Sequence, residues 1–175
     1  MPELNRLTPE EFRATDKLPL TVVLDNIRSQ NNIGSIFRTS DAFCIERICL
    51  CGITATPPHR EIHKTALGAE DTVEWKYFQS AGEAVLALKN SGYLIISMEH
   101  TTSSIPLQDF FPPGNSRLAV VFGNEIQGVQ DEILRLSDAC IEIPQFGTKH
   151  SINVSVAAGI ALWEFTKKIK NIIRK

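Results

Sequence analysis

The chain has no apolar stretch long enough to cross a membrane. Its longest are strand-sized runs at 20–24 and 118–122 and a helix-sized run near 156–163, against the ~20 residues that a span requires. A secretory leader is not expected either, because residues 1–17 mix Glu3, Arg6, Glu10, Glu11, Arg13 and Asp16 with few apolar side chains. The expected location is cytoplasmic. Cysteine is scarce: Cys44, Cys49, Cys51 and Cys140 show no CxxC spacing and lie in apolar surroundings, which fits buried thiols in a reducing compartment. Charge of one sign is lacking too. The net charge is −2, and residues 164–175 hold +4 through Lys167, Lys168, Lys170, Arg174 and Lys175 against Glu164, leaving −6 for the remainder. Bulk electrostatics therefore does not announce a nucleic-acid binder, and any case for RNA must come from local residues. There is no internal repeat, low-complexity tract or convincing linker.

What is there is globular composition, 43% hydrophobic and 22% charged over 175 residues. A single domain of that length removes roughly 70% of the unfolded chain's surface from water. Thr8-Pro9-Glu10-Glu11 is a capping box for a short helix over about 9–16. Leu20–Leu24 reads as a strand, and Ile33, Ile36, Phe37 and Phe43 follow at helical spacing. Strands are expected at 47–52, 73–78, 93–98, 118–122 and 140–143, and helices around 59–66, 80–90, 129–136 and 153–170, with 100–116 as an irregular crossover. This alternation predicts an α/β fold, a mostly parallel sheet with helices on both faces. Residues 1–19 are assigned to a short N-terminal extension and 20–175 to the domain.

In parallel sheets, ligands sit at loops that follow the carboxyl ends of strands. Three such loops, Asn26–Arg38, Gly123–Gly128 and Pro144–Ser155, are rich in Gly, Asn, Ser and charge. The first places Arg38 about one turn after Gly34, near a helix N-terminus that would favour an anion such as phosphate; a capped helix with a surface arginine is the plainer alternative. The second has glycines that allow close approach, with Glu125 at the mouth, or is an ordinary tight turn. It has neither the GxGxxG of dinucleotide folds nor the GK[ST] of a P-loop, so an adenine-cofactor oxidoreductase and a nucleotide triphosphatase are both unsupported. The third leads into a helix that is apolar or small from Val154 to Trp163, offers Ser151 and Asn153 as caps, and should be buried all round.

Together and in this order, the three segments resemble the motifs of the SpoU (TrmH-like) class of the SPOUT RNA methyltransferases. Asn32, Gly34 and Arg38 meet the first pattern; Gly123, Glu125 and Gly128 the second; Ile143, Pro144, Gly147, Ser151, Asn153, Val154 and Ser155 the third. Ile152 stands where the family usually has leucine, a conservative change. The likeness covers about residues 20–166.

The resemblance implies a C-terminal trefoil knot, where general rules of chain topology alone predict an unknotted sheet. It implies S-adenosylmethionine as cofactor, with Met98, Glu99, Gly123, Ile143 and Ile152 lining its pocket and no metal. It also implies a homodimer in which Arg38 acts beside the partner's cofactor. The implied reaction is methyl transfer to a ribose 2′-hydroxyl of RNA, with tRNA favoured over rRNA. A guanidinium resists deprotonation, so the role that fits Arg38 is to hold phosphate and stabilise the developing alkoxide. Asn32 and Glu125 would orient Arg38 or the ribose, and Ser151 and Asn153 would shape the cofactor side.

A catalytically silent knotted RNA-binding or assembly factor is the alternative; its mark would be loss of Arg38, Glu125 or Asn153, and all three are present. His59 and His63 have a spacing that can bind metal, but HRxxH lacks further acidic or thiol ligands, and a solvated helix face is expected. Cys49 and Cys51 share one strand face as packing residues. Lys149 and His150 are candidates for RNA phosphate, with a solvated loop tip as the alternative. The basic tail is expected to be a solvated helix end.

Overall fold

At the centre of the molecule lies β1 (Leu18–Asp25), whose apolar run is buried on both faces. The computed structural model describes residues 7–149 and 151–173, so His150, Arg174 and Lys175 lie outside the described residues. After α1 (Pro9–Ala14) and β1 come α2 (Gln30–Ala42), β2 (Ile45–Cys51), α3 (Arg60–Ala66), α4 (Ala69–Thr72) and β3 (Glu74–Phe78). The second half runs α5 (Ala81–Asn90), β4 (Tyr93–Met98), β5 (Ile105–Pro106), β6 (Arg117–Phe122), α6 (Asp131–Leu136), β7 (Ala139–Glu142) and α7 (Val154–Ile173).

The sheet order is β3-β2-β1-β6-β4-β7-β5, and every strand pairing is parallel. The chain leaves β1 toward β2 and β3, then crosses to the other side, where β6 inserts between β1 and β4. Neighbouring strands β1 and β6 therefore send the helices that follow them, α2 and α6, toward opposite halves of the sheet.

Strand alternation divides the core in two. Val22 and Leu24 face a cluster with Ile33, Phe37 and, from α7, Leu162 and Phe165. Val23 faces the other side, with Cys49, Cys51, Val85 and Ile133. Each buried Val, Leu, Ile or Phe among them contributes roughly 1.5–3 kcal/mol by leaving water. Burial pushes the Cys49 thiol up to about 12 and the Cys51 thiol in the same direction. Both cysteines are thus packing residues, whereas Cys44 and Cys140 are only half-buried.

Several expectations need correction. Helix α2 begins at Gln30, before its first apolar residue, because Ser29 caps it by accepting from Asn32 N at 3.3 Å. A one-turn helix, α4, follows left-handed Leu67 and Gly68, and the expected crossover contains the two-residue edge strand β5, paired with β7. The helix α7 is not buried all round: Val154, Ala158, Ala161, Leu162 and Phe165 are buried, but Val156 is 52% and Trp163 53% exposed. Nor is the basic end of α7 wholly solvated. Lys168 is buried, and its ammonium donates to the carbonyls of Leu107 (2.7 Å), Gln108 (3.1 Å) and Phe110 (2.7 Å), which clamps the 107–110 segment to α7.

Candidate active site

The site is built where β1 and β6 end. After buried Asp25, Asn26 takes a left-handed conformation (φ 57°), and its amide donates to Asp25 Oδ1 at 2.7 Å. Burial raises the Asp25 carboxyl above the usual carboxylate range, with the Asn26 hydrogen bond opposing. The Asn26 carbonyl accepts from Asn124 Nδ2 at 2.7 Å, which staples the loop after β6 to the loop after β1. Asn124 Oδ1 also accepts from Ile126 N (2.9 Å) and Gln127 N (3.2 Å), so one side chain shapes the turn. Sequence reasoning missed Asn124; an asparagine bonding to the backbone ahead of it in a Gly-Asn-Glu turn was the available signal.

Two glycines permit this turn. A Cβ at Gly123 would strike the backbone of Gly128 and Val129, and Gly128 itself sits at φ 68°. Glu99, at the end of β4, closes the arrangement: its Oε2 accepts from Val129 N at 2.9 Å and its Oε1 from His100 N at 3.0 Å.

Asn32, Glu125 and Asn153 come together. Asn32 Nδ2 donates to Glu125 Oε1 at 3.3 Å, and Asn153 Nδ2 donates to Asn32 Oδ1 at 3.1 Å. Asn153 also precedes the first residue of α7, and its Oδ1 accepts from Ser155 N at 2.9 Å and Ser155 Oγ at 2.6 Å, the arrangement of an N-cap. Beside them lies a cleft of about 940 Å³. Met98, Glu99, Gly123, Ile143 and Ile152 line it, as do Glu125, Ser151 and Asn153. His100 and Glu142, which the sequence did not single out, also line the cleft. Hydrogen bonds from Ser104 and His100 hold the Glu142 carboxyl below its ordinary range.

Arg38 stands apart. It is the ninth residue of α2, about 12 Å along the axis from the first, so the amides of the helix N-terminus and its guanidinium do not form one anion site as expected. Six residues of helix turn the chain by about 240° from Asn32, which places the two side chains on different faces. Asn32 accordingly meets Glu125 and Asn153, and Arg38 is exposed and does not line the cleft of its own chain. Gly34, between them, has a packing role: a Cβ there would strike Thr65 Oγ1 and the Ile62 carbonyl of α3. Of the two histidines, His59 caps α3 by accepting from Glu61 N at 3.2 Å, and His63 Nδ1 lies 2.5 Å from Glu70 Oε1.

The cleft suits a nucleoside-bearing cofactor. Its volume lies in the range of small-molecule sites, and apolar Met98, Phe122, Ile143 and Ile152 line it beside the tight turn that Gly123 and Gly128 permit.

An all-parallel sheet with a ligand-sized cleft at the carboxyl ends of β4, β6 and β7 defines an α/β cofactor-binding protein. The model of the SpoU rRNA Methylase family matches residues 19–163, and the chain belongs to that family. The tRNA (guanosine(18)-2′-O)-methyltransferase of Thermus thermophilus is 31% identical over 164 residues, 93% of this chain and 81% of that protein. A relative from Staphylococcus saprophyticus is 28% identical over 158 residues, 89% of this chain but 61% of its own length. Among solved structures, an AdoMet-bound rRNA methyltransferase from Sinorhizobium meliloti superposes with a TM-score of 0.80 at 26% identity, covering 93% of this chain and 61% of that one.

Proposed function

We propose that this chain is an S-adenosylmethionine-dependent RNA methyltransferase that modifies a ribose 2′-hydroxyl, acts on tRNA in preference to rRNA, and works as a homodimer in the cytoplasm. The observation that carries the reading is the hydrogen-bonded series Glu125–Asn32–Asn153 at the edge of a cleft lined by Met98, Gly123, Ile143 and Ile152. Among the described residues no helix is long and apolar enough to cross a membrane.

When bound, S-adenosylmethionine supplies an electrophilic methyl group on a sulfonium. Met98, Ile143 and Ile152 would hold its adenosyl part, with Gly123 and Glu99 on the framework side. The residues of the chain then have three tasks. Asn32 and Asn153 fix the Glu125 carboxylate, which accepts a hydrogen bond from the ribose. Ser151 closes the cleft. Arg38 binds the neighbouring phosphate and stabilises the 2′-oxygen as its proton leaves to solvent. Because Arg38 lies outside its own cleft, this reading has it serve the cleft of the partner. The surface that joins the protomers is the exposed apolar stripe of Val156, Ile160 and Trp163 on α7, at helical spacing i, i+4 and i+7. A trefoil knot at the C-terminal end belongs to the same reading, with Lys168 holding the segments that would cross.

The test is transfer of labelled methyl from S-adenosylmethionine to purified tRNA and rRNA from cells that lack the gene. Label on tRNA ribose is the expected result; label on rRNA alone rejects the substrate preference, and label on neither rejects the activity.

A further inference from the structure

A second concavity, of about 510 Å³, shares no lining residue with the cleft. It is bounded by Pro57, Pro58, His59, Arg60, His63 and Trp75, with buried Glu70 beneath and exposed Asp71 at its edge. Its walls and rim differ in chemistry. The half-buried indole of Trp75 and the two prolines offer flat apolar surface. His59 and Arg60 are exposed on the rim, and Arg13 of α1 reaches the same edge, its Nη2 donating to the Asp71 carbonyl at 3.1 Å.

The feature that packing alone does not explain is Glu70. Its side chain is 6% exposed, with Oε1 on His63 Nδ1 at 2.5 Å and Oε2 without a partner among the described residues. Burying a carboxylate so poorly paired is costly. Its effect is to fix the ring of His63, a side chain 72% exposed, and to leave Nε2 available for a ligand. A buried acid that orients an exposed imidazole is the pattern of a binding site with a supporting partner behind it.

We infer that this pocket takes one nucleotide of the RNA other than the one that is methylated. Its base stacks on Trp75, and its phosphate is held by His63 and Arg60. Base stacking on aromatic rings and phosphate contacts by cationic side chains are how proteins hold single-stranded RNA without reading its sequence. The inference rests on the proposal that the chain acts on RNA. Its position agrees with that use: α3, which carries Arg60 and His63, packs on α2 at Gly34, and α2 carries Arg38. A chain with net charge −2 has no bulk field to hold a polyanion, so such a local site would supply affinity that the methyl-transfer cleft does not.

The experiment uses the full chain, with tRNA binding measured by filter retention and methyl transfer measured under single turnover. Arg60→Glu changes an exposed residue and leaves the fold intact; Trp75→Ala is the second variant, its fold checked by circular dichroism. Both are expected to raise the dissociation constant for tRNA about tenfold, with cofactor affinity and the rate at saturating tRNA unchanged. Guanosine and adenosine monophosphate should compete with tRNA on the wild type and not on the variants. Unchanged tRNA affinity in both variants overturns the inference. So does a lower saturating rate with unchanged affinity, or a mononucleotide that binds without displacing tRNA. A wild-type protein that neither binds nor methylates any RNA overturns the proposed function, and the pocket assignment with it.

Discussion

Asn153 Nδ2 donates to Asn32 Oδ1 at 3.1 Å across 121 positions of sequence, which joins the first turn of α2 to the N-cap of α7. The two residues should therefore be coupled. Asn153→Ala removes a helix cap as well as the bridge and should cost about 1 kcal/mol, whereas Asn32→Ala leaves the cap in place. In a double-mutant cycle on cofactor affinity the pair should show coupling of about 0.5 kcal/mol or more. Strict additivity would mean that the bridge does not organise the site.

Gly34→Ala separates packing from chemistry. The added methyl has no room against Thr65 and the Ile62 carbonyl, and overpacking of this kind costs about 1–3 kcal/mol. Urea unfolding should show that loss, and activity per folded molecule should be retained. Undiminished stability would show that α2 and α3 can separate without cost.

Asp25 should contribute a pH dependence to stability. Burial raises its folded pKa above the ordinary aspartate value of 3.8, so as pH rises past that value the unfolded state ionises first and the wild type loses stability until its folded pKa is passed. Asp25→Asn does not titrate. The melting-temperature difference between variant and wild type should accordingly be smallest below pH 3.8 and move in favour of the variant as pH rises. A difference that is flat with pH would contradict the assignment.

The strands and the three loops were legible because each strand is a compact β-branched or apolar run and each loop is dense in Gly, Asn and Ser. What escaped depends on contacts distant in sequence. Gly34 was read only as a motif position one turn before Arg38, because nothing local reveals α3 against it. Lys168 was counted with a charged tail, yet its ammonium finds three carbonyls of the 107–110 segment. The strand β5 has two residues, one of them Pro106, and carries no periodic signal. From Val154 to Trp163 the solvent face of α7 is apolar like its buried face, so periodicity could not tell a core helix from one prepared for a partner.

Ile160→Glu should disrupt that partner surface and give a monomer by sedimentation velocity at micromolar concentration, with methyl transfer lost. Mixing tests the shared site. Arg38→Ala leaves the cleft intact, and Ile152→Arg places a charge in it. If Arg38 serves the partner, random pairing of these two inactive variants restores about a quarter of wild-type activity. If each chain uses its own arginine, mixing restores nothing.

The most direct measurement is nucleoside mass spectrometry of tRNA from cells lacking the gene, complemented by wild type, Arg38→Ala or Arg38→Lys. The account predicts one missing 2′-O-methylnucleoside, restored by the wild type and not by Arg38→Ala. Purified Arg38→Ala should fold and bind cofactor normally while turning over on the order of a hundredfold more slowly. Arg38→Lys keeps the charge without the planar fork, so partial rescue assigns general electrostatic stabilisation and no rescue assigns bidentate positioning. Full restoration by Arg38→Ala, or an unchanged set of ribose methylations in the deletion strain, would contradict the account.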